Sequence, residues 1–166
     1  MTALLSTTLF PTLMILAGAG DALTMRIPNW LNILIALLFF PMAVLTGMPM
    51  GDIGLHVAVG VGMFVLGFAL FSLGVFGGGD AKLLAAAGLW LGWPDLLNFL
   101  VVTAIAGGIL ALCVGAWSVI RFNSELQDGS IFRRFRSVKP NVPYGYAFAI
   151  GAVLSFPETW WFSAAG

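Results

Sequence analysis

The stretch IGLHVAVGVGMFVLGFALFSLGV, residues 53–75, contains no Asp, Glu, Lys or Arg, and it runs straight into Phe76-Gly77-Gly78-Gly79-Asp80-Ala81-Lys82-Leu83. A helix needs roughly 20 mostly apolar residues to cross a bilayer, and this run supplies them. A soluble protein of 166 residues could not hide such segments, because small domains leave much of their surface exposed. Composition agrees. The chain is 60% hydrophobic and 8% charged, whereas soluble domains carry about 25% charged residues. The solvent for that apolar surface is lipid.

Working outward, six apolar segments can be read, at 3–22, 28–46, 53–75, 81–93, 95–120 and 142–162. Pro, Gly, Asn and Asp mark the turns between them, as in Ile27-Pro28-Asn29, Gly47-Met48-Pro49-Met50-Gly51-Asp52 and Trp93-Pro94-Asp95. Backbone polar groups in lipid must be satisfied within the segment, and strand-like alternation is absent, so helices are expected rather than a barrel. The expected fold is an all-α polytopic bundle of about six transmembrane helices, a single transmembrane domain over residues 1–166 with no separate soluble domain. The first segment has no basic residue before it and flows into Asp21 and Arg26, unlike a removable signal peptide. Glycines at Gly60, Gly67, Gly107 and Gly108 would let helices approach closely.

Seven basic residues set the orientation: Arg26, Lys82, Arg121, Arg133, Arg134, Arg136 and Lys139. With six crossings all of them fall on one side, and the other side receives Asp52, Asp95 and Glu158. The positive-inside rule makes the basic side cytoplasmic and puts both termini outside. This requires the short segment 81–93 to cross, by thinning the bilayer or otherwise. Trp30 and Trp117 would then sit at the inner interface, and Trp90, Trp93, Trp160 and Trp161 at the outer one. The polar connection 121–141 holds five basic and two acidic residues. It reads as a solvated cytoplasmic loop, or as an element that docks substrate. Zero net charge gives no pull toward nucleic acid. Cys113, the one cysteine, allows neither an internal disulfide nor a Cys-x-x-Cys metal site and is expected to be a small core residue.

Ionisable residues at membrane depth are costly and usually functional. Asp21 lies near the inner end of the first segment, and Asp80 follows Gly77, Gly78 and Gly79; the topology brings both to the cytoplasmic face. Two carboxylates sharing a site hold one proton between them. One can then activate water while the other, as an acid, polarises a scissile carbonyl, with no metal or other cofactor. The three glycines let the backbone bend and an extended peptide approach, and Asp80 is expected to open the next helix as its cap. His56, the single histidine, falls at the far end of its segment, so an inward-facing Ser-His-Asp arrangement is not available. It is expected to be a satisfied interfacial residue.

Asp21, followed by Ile27-Pro28-Asn29-Trp30-Leu31-Asn32, and then Gly77-Gly78-Gly79-Asp80-Ala81-Lys82 together resemble the type IV prepilin peptidase family, polytopic aspartic peptidases of bacterial inner membranes. Val142-Pro143-Tyr144-Gly145 is a weaker third match, and the resemblance covers nearly the whole chain. It implies that Asp21 and Asp80 are the catalytic pair. It also implies a pilin-like precursor as substrate, cut after a glycine near the inner face, where its leader lies in the cytoplasm. Gly77, Gly78, Gly79, Pro28 and Asn29 would shape the site, and Lys82 and Arg26 would help to position substrate or anchor lipid. Longer family members carry paired Cys-x-x-Cys zinc motifs associated with methylating the new amino terminus. With one cysteine, this chain resembles the short form found with Tad/Flp-type pilus systems. Two other readings fit a membrane carboxylate pair beside a glycine-broken helix. One is an ion-coupled transporter, although no inverted repeat is visible. The other is a non-catalytic subunit of a pilus or secretion machine.

Overall fold

The computed structural model describes residues 2–124 and 144–163. The expected polar connection 121–141 and its basic residues Arg133, Arg134, Arg136 and Lys139 lie almost wholly outside the described residues. The described part is a helical bundle: α1 (Thr2–Thr24), α2 (Asn29–Leu45), α3 (Met50–Ser72), α4 (Gly78–Ser124), α5 (Tyr144–Ser155), a 3-10 turn (Phe156–Glu158) and α6 (Trp160–Ser163). Three helices are long and apolar enough to cross a membrane, through Leu4–Thr24, Met50–Ser72 and Gly78–Trp117. Two more, α2 and α5, are apolar but shorter. The chain is thus a multi-pass, membrane-type all-α bundle.

The break expected at Trp93-Pro94-Asp95 is present, one residue earlier. Gly92 interrupts α4 with φ 68° and ψ −175°, a region of backbone space open essentially to glycine alone. It divides α4 into arms at 78–91 and 93–124. The first arm runs alongside α2, with Lys82 bonded to Asn29 and Trp90 to Ile35. It runs against α3, with Ala81 beside Gly67 and Leu89 beside Gly60. The second arm returns beside α5, where Phe99 faces Gly151 and Tyr144 faces Gly107. The two arms therefore point in opposite directions. At about 1.5 Å per residue the first arm is only about 21 Å long.

Helix α3 touches its neighbours through one narrow stripe, in which His56, Gly60 and Gly67 are buried. Most of its remaining large apolar side chains are exposed, as lipid permits. A Cβ on Gly67 would stand 2.9 Å from the backbone of Ala81, so the glycine lets α3 settle onto the first arm of α4. Of the glycine pair further along, Gly107 lies against Ala147 and Tyr144, while Gly108 has nothing within 4 Å and supports no close packing here.

The core runs the length of the bundle, from Ile27, Leu83 and Phe148 near the aspartates to a tryptophan cluster at the opposite end. Trp90 and Trp161 are fully buried, with ring centroids 4.9 Å apart, and Phe10 stacks on Trp90 at 5.3 Å. Trp161 Nε1 donates to the Trp90 carbonyl at 2.7 Å, and Trp90 Nε1 donates to the Ile35 carbonyl at 2.8 Å. These two tryptophans are therefore not belt residues. Their indole N–H groups find partners inside, which lets the large rings leave the interface. Trp30, Trp93 and Trp117 do stay exposed. Cys113 is exposed as well, not a core residue, because it falls on the outward face of the second arm. His56 is satisfied, as expected: Nδ1 lies 2.8 Å from the Leu89 carbonyl and the ring stacks on Phe39.

A Cβ on Gly92 would meet the His56 ring at 2.6 Å. Gly92→Ala is therefore expected to destabilise the protein by about 1–3 kcal/mol from backbone strain alone, with the clash in addition. The check is thermal unfolding in detergent. The Tm drop should shrink in a His56→Ala background, which removes the clash, but should not vanish.

Candidate active site

Asp21 sits in the last turn of α1, 6% exposed. Its place is set by α5. Gly18 and Gly145 have no side chains, so the two helices cross closely; a Cβ on Gly18 would lie 2.8 Å from the Gly145 carbonyl. That approach brings the Gly145 N–H to Asp21 Oδ2 at 2.9 Å. The bond joins residues 124 positions apart and uses an N–H of the first turn of α5, which has no partner within its own helix.

Asp80 is 8% exposed and belongs to the first turn of α4. It is not the residue that caps the helix. The helix begins at Gly78, so Gly77 holds the capping position and Asp80 reaches back to it, accepting the Gly77 N–H on Oδ2 at 3.2 Å. This is the reciprocal half of a capping box, in which a side chain three residues in satisfies the capping residue's own N–H. The other oxygen, Asp80 Oδ1, is buried and has no hydrogen-bond partner among the described residues.

The two sequence motifs lock together through the glycine turn. Ile27 is buried against Gly79, where a Cβ would meet the Ile27 Cβ at 3.0 Å. Asn32 Nδ2 donates to the Gly79 carbonyl at 3.2 Å, and Lys82 Nζ donates to Asn29 Oδ1 at 2.8 Å. Phe76, just before the glycines, packs on Tyr144 at 5.3 Å and on Phe148 at 5.9 Å, which ties the same turn to α5.

Around this junction lies a cavity of about 520 Å³. Its walls are Asp21 and Thr24 from α1, Met25 to Pro28 from the connecting turn, Asn29 from α2, and Gly77 to Asp80. Of the residues singled out in the sequence, Asp21, Asp80, Arg26, Pro28, Asn29, Gly77, Gly78 and Gly79 all line it. Lys82 does not; it reaches the site only through Asn29. Sequence reasoning missed two contributors. Gly145 stood in the weakest motif, and it acts through its N–H and through having no side chain. Asn32 was quoted within a motif without a role; as a buried amide in an apolar helix it carried a signal. Among the described residues no three of His, Cys, Asp and Glu cluster as a metal site.

Comparison with known proteins then decides the lineage. Residues 8–112 match the Type IV leader peptidase family. The chain belongs to that family. Two curated relatives, each described as "Prepilin leader peptidase/N-methyltransferase" and both from Burkholderia pseudomallei (strains 1026b and K96243), are 44% identical over 54 residues. The match covers 32% of this chain and 17% of each relative. No solved structure matches the chain at a significant level.

A Cβ on Gly145 would stand 2.8 Å from the Asp21 Cβ and 2.9 Å from Oδ2, whereas one on Gly20 meets nothing within 4 Å. Gly145→Ala is expected to lower peptide cleavage at least about tenfold, the effect of some 1.4 kcal/mol in the barrier. Gly20→Ala, one residue from Asp21, should leave cleavage within about twofold and raise stability slightly, as alanine favours a helix. Rates in proteoliposomes, with circular dichroism to confirm folding, check the pair.

Proposed function

We propose that this protein is a membrane-embedded aspartic endopeptidase that removes the cytoplasmic leader from type IV, Flp-like prepilin precursors, cutting after a glycine near the inner face. Family membership supports a peptidase-type activity. The observation that carries the finer reading is that Asp21 and Asp80, buried on two different helices, line one cavity with the Ile27-Pro28-Asn29 turn and the three glycines.

The chemistry follows from how each carboxylate is held. Asp21 and Asp80 each have one oxygen fixed by a backbone N–H. Asp80 Oδ1 is a buried acceptor without a partner among the described residues, which is where a shared proton or a water belongs. In this reading one carboxylate takes a proton from water as the water attacks the scissile carbonyl. The other, protonated, donates to the carbonyl oxygen; the first then passes its new proton to the departing amine while the second takes one back from the tetrahedral hydroxyl, which restores the pair. The glycine turn admits an extended peptide because it presents backbone rather than side chains. The carboxylates fix the roles as a pair, and no cofactor is needed.

The topology of the proposal has six crossings, with the two arms of α4 counted separately, and is a single peptidase domain. Arg26 and Lys82 mark the cytoplasmic face, and both termini lie outside, in a bacterial inner membrane. The partners are prepilin precursors and membrane lipid, with no nucleic acid. An ion-coupled transporter is less well supported, since both carboxylates sit at one end of the bundle rather than midway. A non-catalytic assembly subunit leaves the paired burial of two carboxylates unexplained.

Asp21→Asn and Asp80→Asn keep the shape of the side chain and an oxygen for the backbone N–H. Each is expected to leave the fold intact and to reduce cleavage by on the order of 10²–10⁴-fold, the range of a lost acid–base group. The purified protein is incubated with a precursor and the product masses are measured. Cleavage at the wild-type rate by either variant would sink the pair assignment.

A further inference from the structure

A second concavity, about 340 Å³, lies beside the first on the outside of the bundle, between α2 and α3 with the first arm of α4 as its floor. Both helices lean on that arm and scarcely touch one another. They meet at the end away from the aspartates, where Phe39 stacks on His56 at 5.5 Å, and they diverge toward the site. The floor is shallow, because it is made of Ala85 and Ala86 with Gly60 at the edge. Small residues of this kind let another helix bring its backbone close. From Leu89 to Lys82 the floor extends seven residues, about 10 Å or two helical turns.

All the lining is apolar except at one end, where Asn32 and Lys82 stand. This end adjoins the active site directly. Asn32 bonds the Gly79 carbonyl, and Lys82 bonds Asn29, which lines the catalytic cavity. Asn32 Oδ1 is buried and has no partner among the described residues. The ammonium of Lys82 is exposed and hydrogen-bonds the neutral amide oxygen of Asn29. An apolar channel two turns long thus ends in a cation and a buried acceptor, next to the carboxylates.

Resting on the peptidase reading above, we infer that this groove seats the first two turns of the substrate's own apolar membrane helix, immediately after the scissile bond, with a carboxylate in those turns paired to Lys82. Apolar length, small-residue floor and one charged end match an apolar helix whose amino-terminal end bears an acid. The leader would then run the other way, through the cavity lined by Arg26. Occupation of the groove by lipid is the competing outcome.

The test uses full-length protein in proteoliposomes. The probe is a synthetic precursor with a basic leader, a glycine before the cut, and a 20-residue apolar helix with glutamate in its second turn. Cleavage by the wild type is measured first. The Asp80→Asn protein then traps uncut precursor carrying a cysteine in the second turn, under mild oxidation. Val61→Cys, on the groove wall in a Cys113→Ala background, is expected to cross-link. Native Cys113, exposed on the second arm of α4, is not. Lys82→Glu is expected to slow cleavage at least tenfold and to recover at least threefold when the substrate glutamate is replaced by lysine. Cleavage without a Val61→Cys cross-link, or with a stronger one at Cys113, overturns the groove and leaves it to lipid. Lack of charge-swap recovery overturns the pairing with Lys82. A Val61→Cys cross-link without wild-type cleavage supports the groove and sinks the peptidase reading instead.

Discussion

The two motif turns at the aspartate end of the bundle are joined at one close contact, the bare backbone of Gly79 against the side chain of Ile27. A larger residue at position 79 would push the α1–α2 turn off the start of α4. Asp21 arrives from one side of that contact and Asp80 from the other. The flanking hydrogen bonds from Asn32 to the Gly79 carbonyl and from Lys82 to Asn29 hold it in register. Such hydrogen bonds contribute only about 0.5–3 kcal/mol each, the upper part of that range where one partner is charged. Here their value is geometric, since they fix where two carboxylates stand relative to each other.

The opposite end solves a different problem. There the chain must reverse inside α4, and it does so at Gly92 over the His56 ring. Trp90, Trp161 and Phe10 pack around the reversal. Both indole rings that are fully buried, Trp90 and Trp161, lie at this end, and the three consecutive glycines 77–79 lie at the other. The tryptophan cluster closes one pole, and a cavity lined by Asp21 and Asp80 opens at the other.

Much of this was legible in the sequence. The helical class followed from 23-residue runs such as 53–75 without a charge, and the break in α4 from Trp93-Pro94-Asp95, one residue past where it falls. The residues lining the cavity followed from two motifs. What the sequence did not show were facts of orientation around a helix axis. Trp90 and Trp161 lie near helix ends, where an aromatic belt is expected, yet they face inward; Cys113 lies in an apolar run yet faces outward. In a membrane protein the inside and the outside of a helix are both apolar, so periodicity separates them poorly. Asp80 differed by a smaller margin. Glycine is a weak helix former, but the first turn has few bonds to lose, so the helix starts at Gly78 and not after the aspartate.

The bond from Gly145 to Asp21 also has a consequence for biosynthesis. Asp21 is made early, and its anchor arrives 124 residues later. While the ribosome is still extending the chain, the first three helices can be in the membrane with this carboxylate unheld. Only when α5 enters beside α1 does the second half of the clamp exist. A bundle ordered in this way leaves Asp21 without its backbone anchor until α5 has taken its place beside α1, so the geometry of the aspartate pair is a late product of insertion.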